Sequence, residues 1–137
     1  MGYSPKEWGS EGWHLIHYAS LNYPLNPTEE DKKNYLSFLE SLKFVLPCEG
    51  CAFNWSEKLK QHPPKLNSRK EFFEWTVDMH NQVNKTNGKK TLTYAEALKK
   101  ISKKKTIEYR KDAALLVGTI VTAVFLLAYT ISKKIKK

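Results

Sequence analysis

The chain of 137 residues is long enough for one small domain with an appendage, and it carries a formal net charge of +9. Up to Leu98, twelve Lys/Arg face twelve Asp/Glu; residues 99–112 hold seven basic against two acidic, and residues 132–137 hold four basic and no acidic. The globular part is therefore electrically balanced, which excludes a general affinity for nucleic acid as the meaning of the basic charge.

Helix signals recur along the chain and strand signals are scarce. Ser4-Pro5-Lys6-Glu7 reads as a capping box with proline at the first helical position, opening a helix to about Asn22 with Trp13, Ile16, His17 and Ser20 on one face. Pro24 and Pro27 break it. Thr28 caps a second helix, about Glu29 to Val45, whose apolar stripe is Tyr35, Phe38, Leu39 and Leu42. Pro47 punctuates, and a third helix starts at the cysteines and runs to about Lys60. After the loop "HPPKLNS", Ser68 and Glu71 cap a fourth, about Arg69 to Lys85, with Phe72, Trp75, Met79, His80 and Val83 in register. "NGKK" is a turn, and Thr93 with Glu96 caps a fifth helix that ends in the lysine-rich run. The expected fold over residues 1–98 is all-α, a four-helix bundle plus a short fifth helix.

The run "AALLVGTIVTAVFLLAYTI", residues 113–131, has no charge. At ~1.5 Å per helical residue it extends about 28 Å, close to the hydrocarbon thickness of a bilayer. It is expected to be a C-terminal transmembrane helix, with 99–112 a basic juxtamembrane linker and 132–137 a short basic tail. "MGYSPKEWGS" lacks the apolar h-region of a cleaved signal peptide. Two N-x-[ST] acceptors, Asn54-Trp55-Ser56 and Asn84-Lys85-Thr86, lie within the globular part, and seven basic residues precede the apolar run. Together these predict a single-pass tail anchor in a virion or host membrane with the domain facing the cytosol.

Cys48 and Cys51 in "PCEGC" are the only two cysteines. A C-x-x-C pair following a proline is placed at a helix N-terminus, where the thiolate is favoured and redox exchange is possible. Two other readings stand beside it. With His14 and His17, spaced H-x-x-H, the pair can be drawn as a Cys₂His₂ zinc site in a non-catalytic membrane adaptor, or the cysteines can be purely structural.

Three stretches, "WGSEGWHLIHYASLNYPLNPT", "PCEGC" and "FFEWTVDMHNQVNKTNGKK", appear in that order over most of Glu7 to Ala97. W-x-x-x-H, C-x-x-C and H-N-x-V-N together resemble the Erv/ALR family of FAD-linked sulfhydryl oxidases. The resemblance implies FAD held noncovalently in the mouth of the bundle, a homodimer, and a disulfide relay with no metal. Cys48 and Cys51 are the implied catalytic pair, Cys51 being nearer the flavin. Gly9, Trp13, His17 and Tyr23 match the first cofactor stretch; His80, Asn81, Val83, Asn84 and Lys85 match the second, with Lys89 in the following "GK" and Tyr94 placed by position. Implied partners are O2, thiol-containing protein substrates and a thioredoxin-like carrier. The chain departs from the longer members in lacking a second, shuttle C-x-x-C and structural disulfides, with Ser10 where an arginine is frequent and Val77 where a cysteine is. In this it is similar to the short single-domain versions of large DNA viruses.

Overall fold

This computed structural model describes residues 2–135, and the side chains of all of these except 104–109, 128–130 and 132–135. Five helices follow in order: α1 Pro5–Asn22, α2 Glu29–Val45, α3 Glu49–Gln61, α4 Arg69–Thr86 and α5 Tyr94–Ile135. Local chemistry sets their starts. Ser4 and Thr28 form full capping boxes with Glu7 and Asp31. The Ser68 hydroxyl accepts the Glu71 N–H, and Thr93 and Glu96 cap each other reciprocally. At the end of α4, Gly88 takes a left-handed φ of 65°, and the Lys89 N–H returns to the Asn84 carbonyl. Glycine makes that reversal without a Cβ penalty.

The chain divides into two compact units, Met1–Ala97 and Leu98–Lys137. In the first, α1 packs on α4 and α2 on α3. Apolar residues from all four meet in one core around Ile16, Leu39, Trp55, Phe72 and Met79. Two tryptophans lie in this core with their ring N–H groups satisfied: Trp55 Nε1 donates to the Leu39 carbonyl at 2.8 Å and Trp75 Nε1 to that of His62 at 3.1 Å.

Tyr23 closes the bottom of the core. Its ring meets Tyr35 and Phe72 edge-on at 4.6 and 5.2 Å, and its hydroxyl donates to the Leu66 carbonyl at 2.8 Å. Its own carbonyl accepts from Arg69 Nε. Tyr23→Phe leaves the Leu66 carbonyl buried without this partner, and denaturant unfolding is expected to show a loss of about 1–2 kcal/mol.

The second unit corrects the sequence reading. The fifth helix is not short: it continues through the lysine-rich run to Ile135 as one 42-residue helix. No glycine or proline stands between Tyr94 and Val117 to stop it. Among the described residues, no helix is long and apolar enough to cross a membrane. The expected transmembrane helix at 113–131 and the tail anchor are therefore not supported, and the cytosol-facing orientation built on the anchor falls with them. The remainder of that expected span, 128–130, and the tail 132–137 lie outside the residues whose side chains are described.

Candidate active site

Proline at 47 biases Leu46 toward extended backbone, and Leu46 caps the end of α2 with φ −61° and ψ 129°. The chain then turns into α3 through Cys48, the N-cap, which is also extended at φ −147° and ψ 114°. Cys48 thus sits one position before the helix rather than inside its first turn. Its Sγ accepts the Cys51 N–H at 3.2 Å, and its carbonyl takes the Ala52 N–H at 2.9 Å. The two cysteines are joined in a disulfide, and both are half-buried. Backbone N–H groups at a helix start favour negative charge on sulfur, so this end of α3 stabilises a thiolate once the bond opens. The N-terminal segment is tied to the same place. The Tyr3 N–H donates to the Pro47 carbonyl at 2.8 Å, and a Cβ at Gly2 would lie 2.8 Å from that oxygen.

One turn beyond Cys51, Trp55 extends from α3 into the core, and Trp13 of α1 meets it edge-on at 6.0 Å. On Trp13 lies the ring of His80 from α4, with centroids 4.2 Å apart and planes within 4°. His17, one turn after Trp13, completes the group: its Nε2 is 3.0 Å from His80 Nδ1 and its Nδ1 is 3.0 Å from Thr76 Oγ1. His17 is only 5% exposed. Burial, then the neighbouring charge of His80 and then of His14, lowers its pKa from 6.5 to about 3, so the ring is neutral at physiological pH.

Trp13, His17 and His80, expected from the sequence, are thus brought together between α1 and α4. The other expected residues are distributed differently. Tyr23 is in the core, as described. Asn81 clamps the loop after α4, donating to the Leu92 carbonyl at 2.8 Å and accepting its N–H at 3.0 Å. Tyr94 donates to the Asp78 carboxylate at 3.0 and 3.1 Å, which raises the pKa of its phenol. Val83 and Asn84 are half-buried on α4, while Lys85 and Lys89 are exposed near its C-terminus. Gly9 faces open space, with no atom within 4 Å of an added Cβ. A cavity of about 1000 Å³ lies on the Trp75–Met79–Gln82 side of α4; Asn81 and Lys85 line it, and the disulfide does not. The zinc arrangement is not formed: the cysteines bond each other, His17 is held by Thr76 and His80, and His14 lies 3.6 Å from Glu11. Among the described residues, no cluster of His, Cys, Asp or Glu is placed to hold a metal ion.

Two residues of the site were not singled out for it by sequence motifs. Thr76 and Ser20 are both fully buried, and their hydroxyls lie 3.3 Å apart beside His17. The available signal was spacing: Ser20 falls three residues after His17, and Thr76 four before His80, both hydroxyls on otherwise apolar helix faces.

Comparison with known proteins gives a consistent result. Residues 10–107 match the model of the Erv1 / Alr family. A probable FAD-linked sulfhydryl oxidase of Acanthamoeba polyphaga mimivirus is 47% identical over 103 residues, covering 73% of this chain and 72% of that protein. The mitochondrial FAD-linked sulfhydryl oxidase of Saccharomyces cerevisiae is 32% identical over 77 residues, covering 56% of this chain but only 41% of the yeast protein. The crystal structure of the yeast Erv1 core superposes with a TM-score of 0.66 at 27% identity, over 69% of this chain and 80% of that one. By sequence and by fold, the chain belongs to the Erv1 / Alr family.

Proposed function

We propose that the chain is an FAD-linked sulfhydryl oxidase that forms disulfides in thiol-bearing proteins through Cys48 and Cys51. The observation that carries the reading is the half-buried disulfide at the N-terminus of α3, one turn from the tryptophan that adjoins the Trp13–His80 stack. The donor set suits a flavin dinucleotide. Trp13 and His80 supply flat faces for stacking, Asn84 a polar edge, and Lys85 and Lys89 positive charge for a diphosphate. The open space at Gly9 leaves room for close approach. Tyr23 and Asn81 support this pocket through the core and the loop after α4.

A substrate thiolate attacks Cys48 Sγ, forming a mixed disulfide while the Cys48–Cys51 bond breaks and its electron pair moves to Cys51. A second substrate thiolate attacks the substrate sulfur of the mixed disulfide. The substrate leaves oxidised and the cysteine pair is fully reduced. The Cys51 N–H and the first turn of α3 then stabilise the Cys48 thiolate. A bound FAD would supply the electron acceptor for the reduced Cys48–Cys51 pair, with O2 as the final oxidant and H2O2 as the product. Protein substrates or a thioredoxin-like carrier deliver their thiols to this pair. The homodimer implied by the family resemblance belongs to the same proposal, and sedimentation equilibrium of the flavin-loaded protein checks it against the 15.9 kDa of one copy.

The visible spectrum tests the reading. The purified protein is expected to be yellow, to bleach when a dithiol is added without oxygen, and to recover its colour in air with release of H2O2. Flavin that binds but never bleaches would point instead to a helical scaffold without catalysis.

A further inference from the structure

We propose that Thr76 is a positioning residue that fixes which nitrogen of His17 and of His80 carries hydrogen, and thereby sets the polarity of the His80 ring. The consequence for flavin binding rests on the assignment of Trp13 and His80 to the flavin pocket.

Thr76 Oγ1 lies 2.7 Å from the Phe73 carbonyl, and a carbonyl oxygen has no hydrogen to give. Without a hydrogen between them the two oxygens would repel at that distance, so the Thr76 hydroxyl donates to Phe73. By the same logic the Ser20 hydroxyl donates to the His17 carbonyl at 2.8 Å. Thr76 Oγ1 therefore has only lone pairs to offer His17 Nδ1, 3.0 Å away, and the hydrogen in that contact belongs to the imidazole. His17 is held as the Nδ1–H tautomer.

That choice propagates. With Nδ1 protonated and the ring neutral, His17 Nε2 presents a lone pair, and it faces His80 Nδ1 at 3.0 Å. His80 must then donate through its own Nδ1–H. The result is a one-way chain from His80 to His17 to Thr76 to the Phe73 carbonyl, linking α4 to α1 and back. With its hydrogen on Nδ1, a neutral His80 has an acceptor lone pair on Nε2. The chain also fixes the plane of the His80 ring, which is the plane that stacks on Trp13. Thr76 and Ser20 have no exposed surface.

The test is two-bond ¹H–¹⁵N correlation of the imidazole rings in ¹⁵N-labelled, flavin-loaded protein, combined with FAD affinity by equilibrium dialysis. In the wild type both His17 and His80 are expected as Nδ1–H tautomers. Thr76→Val removes the acceptor at nearly constant shape. His17 is then expected to shift to Nε2–H, reversing the bond to His80, with FAD affinity falling about tenfold, the scale of one hydrogen bond. Thr76→Ser keeps the oxygen and is expected to retain both tautomers and wild-type affinity. A wild-type His17 carrying hydrogen on Nε2 overturns the proposal, as does a folded Thr76→Val with unchanged tautomers. Should the valine variant fail to fold, the wild-type and serine spectra still decide. Full FAD affinity in His80→Ala would overturn the pocket assignment alone, since the wild-type tautomers are read independently of it.

Discussion

Cys51→Ser is expected to abolish thiol oxidation while leaving FAD bound. Removing a residue that forms covalent intermediates costs about 1,000-fold or more in turnover, and here no other sulfur can substitute because the chain has only two cysteines. The pocket is assigned to aromatic, histidine and asparagine side chains, so the flavin should remain. Cys48→Ser should be equally inactive yet well folded. Serine is a preferred N-cap and its hydroxyl can take the Cys51 N–H that Cys48 Sγ now accepts. Oxygen consumption with a dithiol, the flavin spectrum and a thermal melt measure the three properties together. Either single variant oxidising dithiol at the wild-type rate would sink the relay.

The caps made most of this fold legible in the sequence. Ser4, Thr28, Ser68 and Thr93 each start a helix where the motif placed it, because capping is chemistry among residues three apart. The same locality explains the misjudged fifth helix: with no glycine or proline between Tyr94 and Val117, a change from charged to apolar composition does not end a helix. At the site, the C-x-x-C spacing is local and the disulfide follows it. The Thr76–His17–His80 chain is different. It joins positions about sixty residues apart, and nothing around Thr76 announces that α1 will bring an imidazole to it. Tyr23 illustrates the converse. A motif position suggested a cofactor contact, but its phenol has a buried partner in Leu66.

Acidification is expected to destabilise the bundle through His17. Its folded-state pKa of about 3 lies below the 6.5 of an unperturbed histidine, so the unfolded chain binds the proton more readily. The contribution is fully present above about pH 6.5, and it is lost progressively as the pH falls from there toward about 3. At ~1.4 kcal/mol per pH unit, the loss reaches about 2–3 kcal/mol by about pH 4.5. His17→Asn keeps polar groups at the position but removes the titration, so its melting temperature should fall less steeply across that window. FAD must be held in the same excess throughout, since a bound ligand adds stability of its own. Parallel curves for the two proteins would show that His17 is not the group responsible.

The contact of Gly2 with Pro47 bears on how variation at the N-terminus should be interpreted. Position 2 is exposed and outside any helix, which would ordinarily mark it as freely replaceable. A side chain there would press on a backbone oxygen adjoining Cys48, and a backbone cannot swing aside as a flexible side chain does. Affinity tags or fusion partners appended close to this end therefore risk altering sulfur chemistry while leaving the helical content intact. A loss of rate in such a fusion should be compared with a version extended elsewhere before it is blamed on the substrate.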